Sequence, residues 1–279
     1  MEKVLLAIDG VQLNNEALNF ACYICRLTKS RLVGVFLENL VAEQRQEYKT
    51  TPNLAYADWP IEVESDGHRQ KVELIEQNII TFKNRCCEEG VNCVLHRDRS
   101  LPESELLAES RYADLLIVDA QTSFKRQYEG SPTDFARQIL KESECPVVIA
   151  PETFTEIDEI VFAYDCSASS IFAIKQFTYL FPEFGKYKLT ILNVNESGQW
   201  QDLDRIKFSE WLNDHYDHVN YQPLKGEPES ALLDFLIKKQ NQFVVLGAFG
   251  RSALSNLIHK SKAEILIETL TQPIFITHF

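Results

Sequence analysis

Two glycines and a lysine–serine pair point to a phosphate-binding loop in the second half of the chain. Gly247 and Gly250 directly follow the apolar run 243–246, and Lys260 and Ser261 lie further along the same stretch. Glycine has no Cβ, so its backbone can approach a ligand closely. A helix after such a loop turns its free N–H groups and the positive end of its dipole toward an anion. The order of strand, glycine loop and helix therefore predicts a phosphate cradle, although an ordinary turn shows the same pattern.

The same stretch resembles the nucleotide loop of the universal stress protein family, which reads G-x2-G-x9-G-[S/T]. Gly247 and Gly250 match the first two glycines, and Ser261 matches the last position. Lys260 stands where the family has its third glycine. This departure leaves two alternatives open, because a lysine there could neutralise a phosphate or fill its space.

Other segments of the second half carry the resemblance further. The run 159–165 resembles the family's first strand, which ends in an aspartate that contacts adenine or ribose, here Asp165. The segment 226–228 resembles a G-x-P turn, and 272–276 resembles the closing proline and strand. The resemblance implies a site for ATP or AMP, with Mg²⁺ left open. In that site Asp165 holds adenine or ribose, the backbone of the two glycines approaches the phosphates, and Ser261 donates a hydrogen bond. Arg251 and Lys260 are candidates for added positive charge.

The chain is an internal repeat, which predicts two domains of one type. The matching pairs of segments are 4–9 and 160–165, 115–118 and 243–246, and 145–149 and 272–276. These are short apolar runs without alternation, as expected for strands buried on both faces. Stretches with helical spacing separate them. The sequence therefore predicts two tandem doubly wound α/β domains, each a five-stranded parallel sheet with helices on both faces.

The repeat places the first domain at 1–151 and the second at 156–279, with a short linker and the boundary near 151–155. The domains differ most at 39–68, a longer stretch in the first domain. We interpret it as a surface excursion, with a lid or partner-binding loop as the alternative.

The two domains are expected to pair as a pseudo-twofold unit through their apolar closing strands at 146–150 and 273–278. A homodimer of the whole chain is left open.

The first domain is expected to have lost phosphate binding. It keeps Asp9 at the place of Asp165, but Asp119 and Thr122 stand at the places of the two loop glycines. Counting back from the closing proline puts Thr133 and Asp134 at the final loop positions. (Gly130-Ser131 is the other match, with a three-residue shift.) A carboxylate repels phosphate, and a Cβ blocks close approach of the backbone. The nucleotide site is therefore assigned to the second domain alone.

Composition limits the remaining partners. The chain has 41 acidic and 28 basic residues, a formal net charge of −13. Such a surface repels phosphate backbones, so neither nucleic acid nor an anionic membrane is expected as a partner. No apolar run has the length of a membrane span, and we expect a cytoplasmic protein. The seven cysteines include Cys22 and Cys25 on one helix face, where we expect free thiols that pack in the core.

The sequence thus favours a cytoplasmic stress-response protein that acts as an adenine-nucleotide-binding regulatory module. A nucleotide-free interaction protein of the same fold is the main alternative. A slow ATPase is the third hypothesis, and the lack of a general base or carboxylate cluster beside the loop counts against it.

Overall fold

The computed structural model describes residues 1–38, 66–98, 101–125, 127–200, 202–247 and 262–277. The ten strands in this part of the chain are β1 (Lys3–Asp9), β2 (Arg31–Leu37), β3 (Cys93–Asp98), β4 (Leu115–Val118), β5 (Val147–Ile149), β6 (Glu159–Ala163), β7 (Lys188–Asn195), β8 (His218–Lys225), β9 (Gln242–Gly247) and β10 (Ile274–Thr277). The eight α-helices described are α1 (Asn15–Thr28), α2 (Asp66–Glu88), α3 (Pro102–Ser110), α4 (Asp134–Glu142), α5 (Ala168–Leu180), α6 (Asp202–Asn213), α7 (Pro228–Leu236) and α8 (Lys262–Thr269). A short 3₁₀ helix spans Pro182–Lys186.

The strands form one sheet in the order β3-β2-β1-β4-β5-β10-β9-β6-β7-β8. Within each half the five strands are parallel and follow the same order, with the first strand of the half at the centre. This is a doubly wound arrangement, whose ligand crevice lies where the strand order reverses. The predicted fold of two tandem five-stranded parallel α/β units is therefore confirmed.

The two halves join through their last strands. Strand β5 pairs with β10 in the antiparallel direction, with Val148 opposite Phe275 at the centre of the pairing. The expectation that the apolar closing strands form the contact is confirmed, and the contact is a continuous backbone ladder. Because this pair is antiparallel, the carboxyl ends of the strands in one half point away from those in the other.

Both faces of the sheet are buried, which explains the apolar runs without alternation. One core lies between the sheet and helices α1, α2, α5 and α6, and contains Leu6, Phe82 and Phe177. The other core lies against α3, α4, α7 and α8, and contains Leu5 and Leu266. Each core extends across both halves. Phe20 of α1 packs edge-on against Phe243 of β9, with ring centroids 5.7 Å apart.

The linker is held against the first half. Phe154 packs on Phe20 with ring centroids 5.2 Å apart, and its backbone N–H donates to Glu16 Oε2 over 3.0 Å. The boundaries 1–151 and 156–279 remain predictions. Of the 39–68 insertion, residues 39–65 lie outside the described residues, and 66–68 begin α2.

None of the seven cysteines is joined in a disulfide. Cys22 and Cys25 are buried in the core beneath α1. Burial raises the pKa of the Cys25 thiol to about 12. Their position in an apolar core explains the C-x-x-C spacing by packing.

A buried carboxylate links three strands at the amino-terminal edge of the second half. Glu159 of β6 accepts hydrogen bonds from Thr190 of β7 over 2.6 Å and from Gln242 of β9 over 2.5 Å. Lys188 and Lys239 lie 3.0 and 3.3 Å from its carboxylate oxygens. Burial alone would raise the pKa of Glu159, but the hydrogen bonds and the lysine charges together lower it to about 2.

We therefore expect Glu159 to contribute to stability at neutral pH and to lose that contribution in acid. Its pKa is depressed in the folded state, so the contribution is present above the ordinary carboxyl pKa and disappears as the pH falls toward 2. Glu159→Gln should lower the free energy of unfolding by about 2–3 kcal/mol at pH 7 and flatten its decline between pH 5 and pH 2. Urea unfolding across this range is the measurement, with exposed Glu210→Gln as the control. Equal pH profiles for Glu159→Gln and wild type would contradict the assignment.

Candidate functional site

A crevice lies at the carboxyl ends of the strands in the second half. The described residues around it enclose about 250 Å³. Its walls are mainly apolar and come from the strand ends and from helices α7 and α8: Ala163, Leu192, Val194, Leu232, Leu246 and Leu266. Among the described residues that line it, the polar groups come from the β6–α5 turn and the start of α5, namely Asp165, Ser167, Ser169 and Ser170. Apolar walls with a few convergent polar groups are typical of small-molecule sites.

Asp165 lies at the mouth of this crevice. Strand β6 ends at Ala163, and Asp165 follows after one further residue, Tyr164. Its Oδ1 accepts a hydrogen bond from the backbone N–H of Ser167 over 2.9 Å. Partial desolvation by its neighbours raises the pKa of Asp165, but the hydrogen bonds from Ser167 and Ser170 outweigh it, so that the pKa is lowered overall. The side chain is exposed and therefore offers an ionised acceptor for hydroxyl or amino groups.

The turn between Asp165 and α5 has a constrained backbone. Cys166 adopts a φ of 64°, which is uncommon for a residue with a Cβ. Ser167 then caps α5, because its Oγ accepts from the backbone N–H of Ser170 over 3.1 Å. The serines of this turn were not among the sequence-predicted site residues. Ser167 could have been recognised as a helix cap immediately before the apolar stripe of α5.

Gly247 ends β9, the strand next to β6, and also lines the crevice. A Cβ built there would lie 2.7 Å from both the backbone N and the Cα of Ser170. The first turn of α5 therefore packs directly against Gly247. Close packing of helix on strand explains the glycine at this position without any ligand.

We expect Gly247→Ala to destabilise the second half by about 1–3 kcal/mol, because the backbone of Ser170 cannot move aside as a side chain could. The midpoint and slope of urea unfolding measure this change. An unchanged midpoint would show that α5 does not approach the strand this closely.

The structure brings Asp165 and Gly247 together on one crevice. The other predicted site residues, Gly250, Arg251, Lys260 and Ser261, lie outside the described residues. Among the residues that the structure describes, no group of three His, Cys, Asp or Glu side chains is arranged to hold a metal ion. No helix in the same part of the chain is long and apolar enough to cross a membrane.

The first half has a crevice at the corresponding strand ends, with a different lining. It encloses about 500 Å³ and is lined mainly by polar side chains, among them Asp9, Gln12 and Asp119. Asp9 repeats the turn seen at Asp165, because its Oδ1 accepts from the backbone N–H of Val11 over 2.9 Å. Burial, however, raises the pKa of Asp9 despite this hydrogen bond.

Asp119 occupies in the first half the place that Gly247 occupies in the second. Leu115 pairs with Val4 as Phe243 pairs with Ile160, and Asp119 and Gly247 follow at the same distance along their strands. The Oδ2 of Asp119 accepts from Asn14 Nδ2 over 2.8 Å, and its Oδ1 accepts from the backbone N–H of Gln121 over 2.9 Å. Asn14 also caps α1, through Oδ1. The carboxylate of Asp119 therefore lies beside the start of α1. The equivalent residue of the second half, Gly247, has no side chain.

The final loop positions of the first half form the start of α4. The Oγ1 of Thr133 accepts from the backbone N–H of Ala136 over 3.2 Å and donates to the carbonyl oxygen of Thr122. The backbone N–H of Thr133 donates to the carbonyl oxygen of Ala120 over 2.9 Å. The loop is thus closed by its own hydrogen bonds.

The two crevices lie at the switch points of the doubly wound halves, which is where α/β proteins of this architecture generally bind ligands. No protein-family model matches the sequence, and no curated protein matches it. The fold is that of the universal stress proteins in tandem form. A universal stress protein from Archaeoglobus fulgidus DSM 4304 is 18% identical, with a TM-score of 0.70, and the match covers 99% of this chain and 98% of that one.

Two structures from Pseudomonas aeruginosa are also similar along the whole chain. A functionally unknown protein from strain PAO1 is 16% identical, with a TM-score of 0.59, and the match covers 100% of this chain and 92% of that one. A putative universal stress protein from strain UCBPP-PA14 is 16% identical, with a TM-score of 0.56. The match covers 100% of this chain and 93% of that one. At these identities the likeness establishes the fold.

Proposed function

We propose that the protein is a cytoplasmic regulatory module that binds an adenine nucleotide in its second half alone. The observation that carries the proposal is the difference between the two crevices. The second-half crevice combines apolar walls with an ionised Asp165 at its mouth. The corresponding first-half crevice is polar and holds the carboxylate of Asp119 beside the start of α1.

The chemistry of the second-half crevice fits the parts of a nucleotide. A purine ring is flat and largely apolar, so it can lie against side chains such as Leu192, Leu232 and Leu266. The ribose hydroxyls can donate to Asp165, whose lowered pKa keeps it an acceptor at neutral pH. We assign the phosphates to the loop that contains Gly250, Arg251, Lys260 and Ser261, as the sequence resemblance implies.

A direct test is mass spectrometry of small molecules released from the purified, denatured protein, followed by calorimetry with ATP, AMP and adenosine. We expect an adenine nucleotide to bind with a stoichiometry of one per chain. Binding of none of the three ligands would favour the nucleotide-free interaction protein, and a stoichiometry of two would contradict the restriction to one half.

We expect Asp165→Ala to weaken nucleotide binding by roughly 10- to 100-fold, the loss expected for a hydrogen bond to a charged group. Asp9→Ala is the matched control, because it removes the same turn hydrogen bond in the first half. Asp9→Ala should leave the affinity unchanged. The reverse result, in which only Asp9→Ala weakens binding, would place the nucleotide in the first half.

Lys260→Gly distinguishes the two roles left open for this lysine. We expect the variant to bind ATP more weakly while its affinity for adenosine stays the same, because the lysine ammonium neutralises phosphate charge. Calorimetry with both ligands gives the comparison. Stronger ATP binding in the variant would show that the lysine fills the phosphate position instead.

A further inference from the structure

Helices α1 and α2 of the first half place two buried thiols side by side. Cys22 of α1 and Cys86 of α2 are both completely buried in the core on this face of the sheet. The thiol of Cys86 donates a hydrogen bond to the sulfur of Cys22. Cys25, which shares the C-x-x-C spacing with Cys22, is instead hydrogen bonded to the hydroxyl of Ser30. The thiols that meet therefore come from two different helices, and the C-x-x-C spacing does not reveal this pairing.

Two polar side-chain pairs hold the helices together on either side of these thiols. About one turn before Cys22 on α1, Asn19 Oδ1 accepts a hydrogen bond from Arg85 Nε of α2 over 2.8 Å. About one turn after it, Arg26 pairs with Glu89, just beyond the end of α2. The two pairs enclose the thiols along both helices, so the sulfur atoms are held opposite each other by contacts that do not involve sulfur.

The surroundings of Cys22 favour its thiolate. The hydrogen bond from Cys86 is the largest influence and lowers the pKa of Cys22. Burial and the charge of Glu89 oppose this effect, while the charges of Arg26 and Arg85 add to it. The same hydrogen bond raises the pKa of Cys86. The thiolate is the nucleophilic form of cysteine, so Cys22 is the thiol of the pair that attacks an oxidant and Cys86 is the one that responds.

The last turn of α2 gives an oxidant a way in. Cys86 lies in this turn, and Cys87 and Glu88 next to it are exposed. The helix ends at Glu88, and Gly90 follows with a φ of 66°. Helix ends open locally at a small cost in free energy. Opening of this turn brings a molecule as small as hydrogen peroxide to both sulfur atoms.

We propose that Cys22 and Cys86 are a peroxide-sensitive dithiol that oxidation converts into a disulfide between α1 and α2. The Cys22 thiolate attacks one oxygen of hydrogen peroxide, the O–O bond breaks, and the leaving hydroxide takes up the proton that Cys22 released. Cys22 is then a sulfenic acid. The Cys86 sulfur attacks the Cys22 sulfur, and the hydroxyl group leaves with the proton of Cys86 as water. In sum, two thiols and one peroxide give one disulfide and two molecules of water.

The disulfide restrains the helices that border the first-half crevice. Asn14, which caps α1, donates to Asp119 in that crevice. Asn78 of α2 donates to the carbonyl oxygens of Gly10 and Val11 in the β1–α1 turn, over 2.9 and 3.0 Å. A covalent bond between the two helices limits their relative movement. This inference goes beyond the proposed function, because it concerns the half to which no nucleotide is assigned.

The test is treatment of the full chain with hydrogen peroxide, followed by alkylation of the remaining thiols, tryptic digestion without reduction and mass spectrometry. We expect peptide 4–26, which contains Cys22 and Cys25, to be joined to peptide 86–97. Cys25→Ala is the matched control, because it removes another buried thiol from the same helix and should leave the crosslink intact. Cys22→Ala and Cys86→Ala should each abolish it.

Cys93 is the competing partner, because it also forms a hydrogen bond with Cys86 and lies on peptide 86–97. The crosslink should therefore persist in Cys93→Ala. A disulfide between Cys86 and Cys93, or a crosslink that survives Cys86→Ala, would overturn the proposal. So would a wild type without the crosslink at peroxide concentrations that oxidise the exposed Cys87. Because the wild type carries the main result, fragmentation of its crosslinked peptides decides the pairing even where a variant does not fold.

Hydrogen exchange of the oxidised wild type measures the restraint itself. Amides in α1 and α2 should exchange at least about ten-fold more slowly after oxidation, because the disulfide opposes local opening of these helices. Amides in α5, the counterpart of α1 in the second half, should exchange at the same rate in both forms. Equal exchange of α1 and α2 before and after oxidation would contradict the restraint. Both readouts are independent of whether the second half binds a nucleotide.

Discussion

The antiparallel backbone pairing of β5 with β10 is the constraint on which the rest of the architecture depends. It joins two five-stranded sheets into one and removes an open edge from each half. Unpaired strand edges are prone to association with other chains, so this pairing protects two edges at once. It also sets the halves in opposite directions, and their crevices consequently open at opposite edges of the shared sheet. A ligand bound in one crevice would therefore be separated from the other crevice by at least the length of the strands.

Burial on both sheet faces then determines where chemistry can occur. The strand interiors are occupied by apolar side chains on both sides, so polar groups are concentrated at strand ends. A charge at the buried amino-terminal edge must be compensated by hydrogen bonds and opposite charges. Glu159 has both, from Thr190, Gln242 and two lysines. At the carboxyl edges the same need for compensation is met by turn and cap hydrogen bonds, as at Asp9 and Asp165. The scaffold thus presents one carboxylate at the equivalent point of each half.

The fold could be predicted from the sequence because its signals are local. Apolar runs, helical spacing and the repeat specify the strands, their parallel order and the pairing of the closing strands. The contents of the sites could not be predicted to the same degree, because they depend on contacts between distant segments. The pairing of Asn14 with Asp119 joins residues 105 positions apart. The glycine loop predicts that Gly247 lets a ligand approach, but the sequence does not indicate that its α-carbon also packs against the backbone of Ser170. The apolar walls from α7 and α8 likewise become apparent only when the helices are placed over the strand ends.

The two halves share one backbone arrangement but carry different charges at equivalent positions of their crevices. In the first half, negative charge is built into the crevice and its loop through Asp119 and Glu129, and each carboxylate is satisfied by groups of the same half. In the second half the position of Asp119 is a glycine, and the described lining has Asp165 as its one carboxylate. The first crevice therefore presents the carboxylates of Asp9 and Asp119, whereas the described lining of the second presents apolar walls, helix-end serines and Asp165. Because Coulomb interactions strengthen as water is excluded, the placement of these few carboxylates makes the two crevices electrostatically different although their backbones are similar.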